Sequence, residues 1–282
     1  MVSRVLSYIL VKRIIYTLAL FCGLFSALVA QEKEPKVWKL YSLSAGYMGG
    51  SVQFFDGYNV DILYANARSG LPLYPDWNVF SQAALMPEWW QAGAQVGIVD
   101  TTGGLRLRFG LNFAHKHDSM SYVSGFAVND TIYGRDAGEE YNMFSATFAG
   151  IRSTRKLFNF LRVYIGAEME VGLIPGSDIR FLEYSYDFGD QRIVDLNRFE
   201  VEGKARLNLF GSALVGVETM FAKRFGFSAE VKSGIGIHLV INENTIGLSK
   251  TGYFLSLNYY FRDYKNRKPS PVLREEVLPA PE

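Results

Sequence analysis

Residues Leu105 to His115 read Leu-Arg-Leu-Arg-Phe-Gly-Leu-Asn-Phe-Ala-His, and this run constrains the fold more than any other. Leu105, Leu107, Phe109, Leu111 and Phe113 share one parity, while Arg106, Arg108, Gly110, Asn112 and Ala114 share the other. Successive side chains of a strand point to opposite faces, so one face is apolar and the other polar. A half-buried soluble strand gives the same alternation. Two further features separate the cases. The apolar face runs unbroken for about the ten residues that a tilted strand needs to cross a bilayer. The other face carries two arginines, which a packed soluble core does not accommodate.

The same design recurs along the chain. Val37 to Met48 alternates, with Val37, Tyr41, Leu43, Ala45 and Tyr47 on one parity. Trp89 to Val99 sets Trp90, Ala92, Ala94, Val96 and Ile98 against Gln91, Gly93, Gln95 and Gly97. Tyr141 to Arg152 is a strand whose outward parity stays open, because Phe144 and Phe148 share a face with Asn142 while Met143 and Ile151 share the other with Ser145 and Thr147. A strand through Leu161 to Val171 opposes Leu161, Val163, Ile165, Ala167, Met169 and Val171 to Arg162, Tyr164, Gly166, Glu168 and Glu170. Glu202 to Thr219, Phe225 to Leu239 and Gly252 to Phe261 complete the set.

That makes eight strands, and their connections alternate in length. Gly49 to Glu88, Lys116 to Glu140, Gly172 to Val201 and Val240 to Thr251 are long. Asp100 to Gly104, Ser153 to Asn159 and Met220 to Arg224 are short, the first a Gly-rich hairpin turn. Within the long connections, Tyr58 to Ala65 reads as a short strand, Ser81 to Met86 as a helical turn, and Phe181 to Phe188 alternates weakly. Barrels of outer membranes have an even strand number, short periplasmic turns and long external loops. The expected fold is therefore all-β: an antiparallel, eight-stranded, up-and-down transmembrane β-barrel over residues 37–261.

The ends of the chain fit that address. Arg4, Lys12 and Arg13 precede an apolar core, Ile14 to Phe25, and Ala27-Leu-Val-Ala30 offers a small-residue cleavage site. Residues 1–30 are read as a signal peptide cleaved near Ala30; a retained anchor is disfavoured because the apolar core is short of the roughly 20 residues a spanning helix needs. Lipidation of Cys22 is disfavoured by bulky Leu20 and Phe21 before it. Cys22 is the single cysteine of the 282 residues, so a cleaved chain has neither disulfides nor thiolate metal sites. Loss of Arg4, Lys12 and Arg13 takes the formal charge from +1 to −2, which argues against a nucleic-acid partner. Residues 31–36 form a charged linker, and residues 262–282 a flexible, Pro-rich periplasmic tail available to the cell wall or a periplasmic partner.

On export signal, strand rhythm and the aromatic-ended final strand Tyr253 to Phe261, the chain resembles the small OmpA/OmpX-type outer-membrane barrels. The resemblance implies an outer-membrane location, bilayer lipid and the barrel-assembly machinery as partners, and no catalytic motif. Many such barrels end at the terminal Phe, whereas this chain runs on.

If the polar parities face inward, the lumen collects Arg106, Arg108, Arg162, Glu168, Glu170, Lys204, Arg206, Glu218, Glu230, Lys232 and His238. An Arg or Lys turned to lipid at the midplane costs about 2–4 kcal/mol, which forces that assignment. Eight strands enclose a space just wide enough for side chains to fill, so an ion-paired plug is expected, with a narrow gated pore as the alternative. Trp38, Trp89, Trp90, Tyr253 and Tyr259 lie near strand ends and read as interfacial girdle residues. His115, His117, Asp118, Ser119 and Ser121 cluster where a strand enters an external loop. A barrel-embedded lipid A-modifying enzyme would use a serine, a histidine and an acidic orienter in such a place. A metal held by His115 and His117 would need a third ligand. The spacing is not diagnostic of either, so the expected protein is non-enzymatic, without cofactor or metal, and has a structural or surface-binding role through its external loops.

Overall fold

The structure is a computed structural model and describes residues 38–55, 60–68, 80–84, 88–100, 105–124, 131–153, 161–187, 189–190, 192–222, 224–240 and 245–261. The leader, the linker and the tail lie outside the described residues.

Eleven strands and one helix are described: β1 (Lys39–Phe54), α1 (Val60–Asn66), β2 (Phe80–Ala84), β3 (Glu88–Val99), β4 (Leu105–Ser124), β5 (Thr131–Ser153), β6 (Leu161–Ile174), β7 (Ser177–Asp187), β8 (Arg192–Glu202), β9 (Arg206–Met220), β10 (Phe225–Val240) and β11 (Ile246–Tyr260). Eight of the strands close a ring in the order β1-β3-β4-β5-β6-β9-β10-β11 and back to β1. Every pairing is antiparallel. Closure leaves the ring itself without a sheet edge, which is the condition for a sheet to lie in hydrocarbon. The ends of β3, β5 and β9 and the starts of β4, β6 and β10 lie at one end of the ring, together with the start of β1 and the end of β11, where the Phe261 amide donates to the Tyr41 carbonyl at 3.0 Å. We call this the turn end and the other the loop end.

The three remaining strands are additions at the loop end. β5 is 23 residues long, and only Phe144 to Ser153 pair with β6. Its first part, Thr131 to Tyr141, pairs instead with β7, and β7 pairs with β8. β4 likewise overruns the ring and pairs with β2 through Ser121 to Ser124. The residues 116–140 and 172–201 read as loops are thus largely sheet, continuing the barrel wall. Residues 240–251 are also mostly strand, since β10 runs to Val240 and β11 starts at Ile246. Polar residues on both parities hid these extensions, because a strand standing in water needs no apolar face.

Two short elements exchange type. Tyr58 to Ala65 holds the helix α1, not a strand, and Ser81 to Met86 holds most of β2, not a helical turn. In α1 the adjacent Ile62 and Leu63, with Ala67 just beyond, are buried at the loop end of the lumen. Helical geometry turns that cluster toward one side, which a two-residue alternation cannot do.

The polarity of the ring is inverted relative to a soluble protein. Outward side chains are large and apolar, with Leu111 72%, Leu257 63% and Val231 62% exposed. Inward side chains are charged. β5 resolves its ambiguous parity in the same sense: Asn142, Phe144 and Ala146 face out, and Tyr141, Met143, Ser145, Thr147 and Ala149 face in. Tyr41 departs from its expected outward parity. The β1–β3 register slips between Leu40 and Ser42, a bulge that sets Tyr41 and Ser42 both inward while Leu40 and Leu43 stay out. Trp89 also faces in, buried, whereas Trp90 keeps the outward position and stacks on Tyr47.

Candidate functional site

The lumen is built in charge-balanced layers, each supplied by in-register positions of several strands. At the turn end Arg106 meets Glu218 at 2.6 Å, and Arg162 lies 3.8 Å from the other oxygen of the same carboxylate. The bulged Tyr41 donates to Glu218 at 3.3 Å, and the Arg106 guanidinium sits 5.2 Å from the ring centres of both Tyr41 and Tyr164. One layer deeper, Arg108 holds Glu230 through both guanidinium arms and reaches Glu168 at 3.3 Å. Lys232 closes the square on Glu168 at 2.7 Å, and the Tyr164 hydroxyl donates to Glu230 at 2.8 Å. Two cations thus face two anions. The Tyr164 ring fits because residue 216 is glycine: a Cβ there would lie 2.5 Å from the ring.

The third layer pairs Lys250 with Glu170; Gln91 bridges both and Ser145 donates to Glu170 at 2.6 Å. The fourth, at the loop end, centres on Glu139, which is fully buried. Its carboxylate accepts from Arg206, from Ser177 at 2.6 Å and from Asn66 of α1 at 2.7 Å. Lys116 and Asp118 pair beside it at 2.6 Å. Burial raises the Asp118 carboxyl above its ordinary pKa; Lys116 opposes that rise, and Glu139 reinforces it. His238 lies between Asn208 at 2.7 Å and Asn66 at 3.1 Å.

Above this layer α1 closes the mouth. Ile62 and Leu63 pack with Val52, Phe54, Met120, Ile179, Phe181 and Leu248 in one apolar cluster. The end of the helix is fixed to the β8–β9 connection: the Lys204 ammonium donates to the Ala65 carbonyl at 3.1 Å, and its amide to the Asn66 carbonyl at 2.7 Å. Lys204 therefore belongs to this anchor and not to the ring's inward face, because β9 begins only at Arg206. Within the ring, a cavity at the turn end bounded by Arg106, Arg108 and Glu218 has a volume of about 30 Å³, room for only a few waters.

Of the eleven charged or titratable residues proposed for the lumen, the structure brings Arg106, Arg108, Glu168, Glu170, Arg206, Glu218, Glu230, Lys232 and His238 into buried contacts there, with Arg162 at the rim of the first layer. Lys116, Asp118, Glu139 and Lys250 belong with them, although the sequence pattern puts them in the long connections. A signal for three of them was present. The even parity of Arg106 and Arg108 runs straight on to Lys116 and Asp118, and the inward parity of β11 runs back to Lys250.

The His-Ser cluster does not assemble around Asp118. His115, His117, Ser119 and Ser121 are partly exposed on the outer face of β4, while Asp118 is buried on the inner one. His115 contacts Asn142 at 3.1 Å and tilts over the Trp90 ring. Ser121 donates to Asp136 at 2.5 Å, without an intervening imidazole. Among the described residues, no group of three or more His, Cys, Asp or Glu side chains is placed to hold a metal.

No family model and no curated protein matches the chain. Solved structures do. Ail, the attachment invasion locus protein of Yersinia pestis, in complex with the heparin analogue sucrose octasulfate, matches with 11% identity and a TM-score of 0.31, over 79% of this chain and 98% of that one. The translocator domain of the autotransporter NalP from Neisseria meningitidis matches with 10% identity and a TM-score of 0.23, over 90% and 99%. LpxR from Salmonella typhimurium matches with 11% identity and a TM-score of 0.22, over 78% and 100%. The fold is a closed, eight-stranded, antiparallel up-and-down barrel.

Proposed function

We propose that the chain is an integral outer-membrane barrel, sealed to solutes and without catalytic activity, whose working surface is the sheet that β4, β5, β7 and β8 raise beyond the loop end. The observation that carries this reading is the inverted polarity of the ring. Its outward face is a continuous apolar belt, and its lumen is filled by paired charges that would be costly anywhere else. In this reading bilayer lipid surrounds the belt, the barrel-assembly machinery inserts the chain, and the short connections face the periplasm. The structural investment beyond the ring supports a binding or scaffolding role outside the membrane, since a barrel needs neither β7 and β8 nor a helix in its mouth in order to close.

The test is cell fractionation combined with electrophoresis of unheated and heated samples, and conductance across planar bilayers. The expected result is recovery in the outer-membrane fraction, a heat-dependent change in migration, and no stepwise conductance. Recovery in soluble periplasm overturns the membrane reading, and steady channel currents overturn the sealed lumen. For the catalytic part, lipid A mass should be the same in strains with the wild-type protein and with His115, His117 and Ser119 replaced together by alanine. A one-acyl mass shift that tracks the wild-type protein overturns that part.

A further inference from the structure

The outer face of the raised sheet carries a pocket of about 480 Å³ that none of the foregoing uses. Its floor is two register rows crossing four strands. Ser119, Gly138, Arg180 and Glu200 form one row, and Ser121, Asp136, Leu182 and Arg198 the next. The glycine opens the first row. The His117 ring lies against it, so that a Cβ at Gly138 would be 3.4 Å from the imidazole. Asp136 is engaged by Ser121, and Arg180 is only loosely held by Glu200, at 3.7 Å. Arg198 has no ion-pair partner among the described residues. The pocket thus presents two guanidinium groups with spare donors, two carboxylates, an imidazole and two serines, over a floor to which Met120, Ala137, Phe181 and Leu182 contribute. Planar guanidinium forks match a phosphate; hydroxyls and a carboxylate match the hydroxyls of a sugar.

Position narrows the occupant. The outward row Trp90, His115 and Asn142 ends the apolar belt on this side of the barrel. Ser121 lies six residues further along β4 than His115, about 20 Å along the strand at the usual rise. With the strand tilted by roughly 40°, the pocket stands up to about 15 Å above the edge of the hydrocarbon, on the side facing the surrounding leaflet. An ordinary headgroup layer is only about 5–7 Å deep, so a lipid that reaches the pocket has to carry a taller, sugar-built headgroup.

We infer that this pocket binds a sugar phosphate, the headgroup of a phosphorylated glycolipid in the leaflet around the barrel, with Arg180 and Arg198 on the phosphate and His117, Ser119 and Glu200 on the sugar. The inference rests on the outer-membrane reading above, and names what its external sheet holds.

The test uses the full chain extracted in detergent, folding being checked by heat-modifiable migration. Native mass spectrometry measures retention of added diphosphorylated lipid A, with its fully dephosphorylated form as reference. The variants are Arg180→Gln with Arg198→Gln, and Arg192→Gln as a charge-matched control at the far end of β8. The wild type and the control should retain the phosphorylated lipid, and the double variant should lose about tenfold or more, as expected for two charge-assisted contacts. Equal retention by all three, or equal retention of the dephosphorylated form, overturns the inference. A second arm titrates glucosamine 1-phosphate and follows the His117 ring signals by NMR. Binding of this probe without retention of the lipid keeps the sugar-phosphate chemistry but overturns the leaflet as its source. Because the fractionation assay is separate, a protein found in the outer membrane with an indifferent pocket sinks this inference alone.

Discussion

The second lumen layer offers a sharp test of how a charged interior is tolerated. Arg108 and Lys232 face Glu168 and Glu230, and all four side chains are nearly inaccessible to solvent. Arg108→Gln removes one of two cations and leaves two buried carboxylates to share Lys232. Breaking a buried pair by removing one partner costs about 3–5 kcal/mol, since the stranded charge stays buried. Glu230→Gln strands Arg108 instead, though Glu168 at 3.3 Å still faces it, so its cost falls at the lower end of that range. The double variant leaves Lys232 on Glu168 at 2.7 Å, a balanced pair, together with two amides able to hydrogen-bond. Its loss should stay below about 2 kcal/mol, giving a coupling energy of about 4 kcal/mol or more, well above the roughly 0.5 kcal/mol scatter of independent sites. The assay is reversible guanidinium unfolding in lipid vesicles, followed by tryptophan fluorescence. Additive single losses, or singles each below 1 kcal/mol, would refute the claim that the layer is held together by charge balance.

Three further outcomes follow from the same geometry. Phe109→Arg puts a cation on the outer face beside Phe148, whose ring centre is 5.1 Å away; insertion should become less favourable by about 2–4 kcal/mol and the heat-modifiable form should decline, whereas full assembly would contradict the face assignment. Leu63→Asp buries a charge under the mouth; it should expose α1 to protease on intact cells while the ring keeps its heat-modifiable migration, and loss of both together would show that the helix is part of the barrel's own stability. An epitope inserted near Asp130 should be labelled on intact cells and one after Glu282 should not; reversed labelling would invert the topology.

The ring was legible in the sequence because lipid imposes a rule on every outward position. Each of the eight strands must keep an apolar parity for its full crossing, and one interruption such as Arg at Phe109 is costly, so the pattern is nearly free of noise. Beyond the belt that rule lapses. β8 stands in water on both sides over much of its length, and Arg192 to Arg198 are all exposed. Neither parity is constrained there, and the run Arg-Ile-Val-Asp-Leu-Asn-Arg reads as loop. Tyr41 escapes the alternation for a different reason. A bulge shifts parity by one, and nothing in Lys-Leu-Tyr-Ser-Leu announces it; its cause is three-dimensional, a hydroxyl needed beside Glu218.

The division of β5 explains why sealing and display are found together. At Tyr141 the strand leaves one partner for another: below it β6 closes the ring, above it β7 begins the raised sheet. The change of partner leaves Asn142 and Met143 outside both registers, and β7 follows β6 along β5 after only two residues, Pro175 and Gly176. Glu139 stands two residues above the split and draws a bond from each side of it: Ser177 from β7, Arg206 from β9, and Asn66 from the helix in the mouth. Such a carboxylate would be expensive to bury alone, and with three donors it becomes the joint between ring, sheet and plug. Glu139→Gln keeps the shape and one acceptor oxygen but leaves Arg206 without its counter-ion. It should therefore loosen α1 and the β7–β8 hairpin together, seen as joint loss of amide protection in both, while the β9–β10–β11 wall stays protected. Loss of protection confined to α1 would show that the helix and the sheet are fastened independently, and the joint would then be no more than a local ion pair.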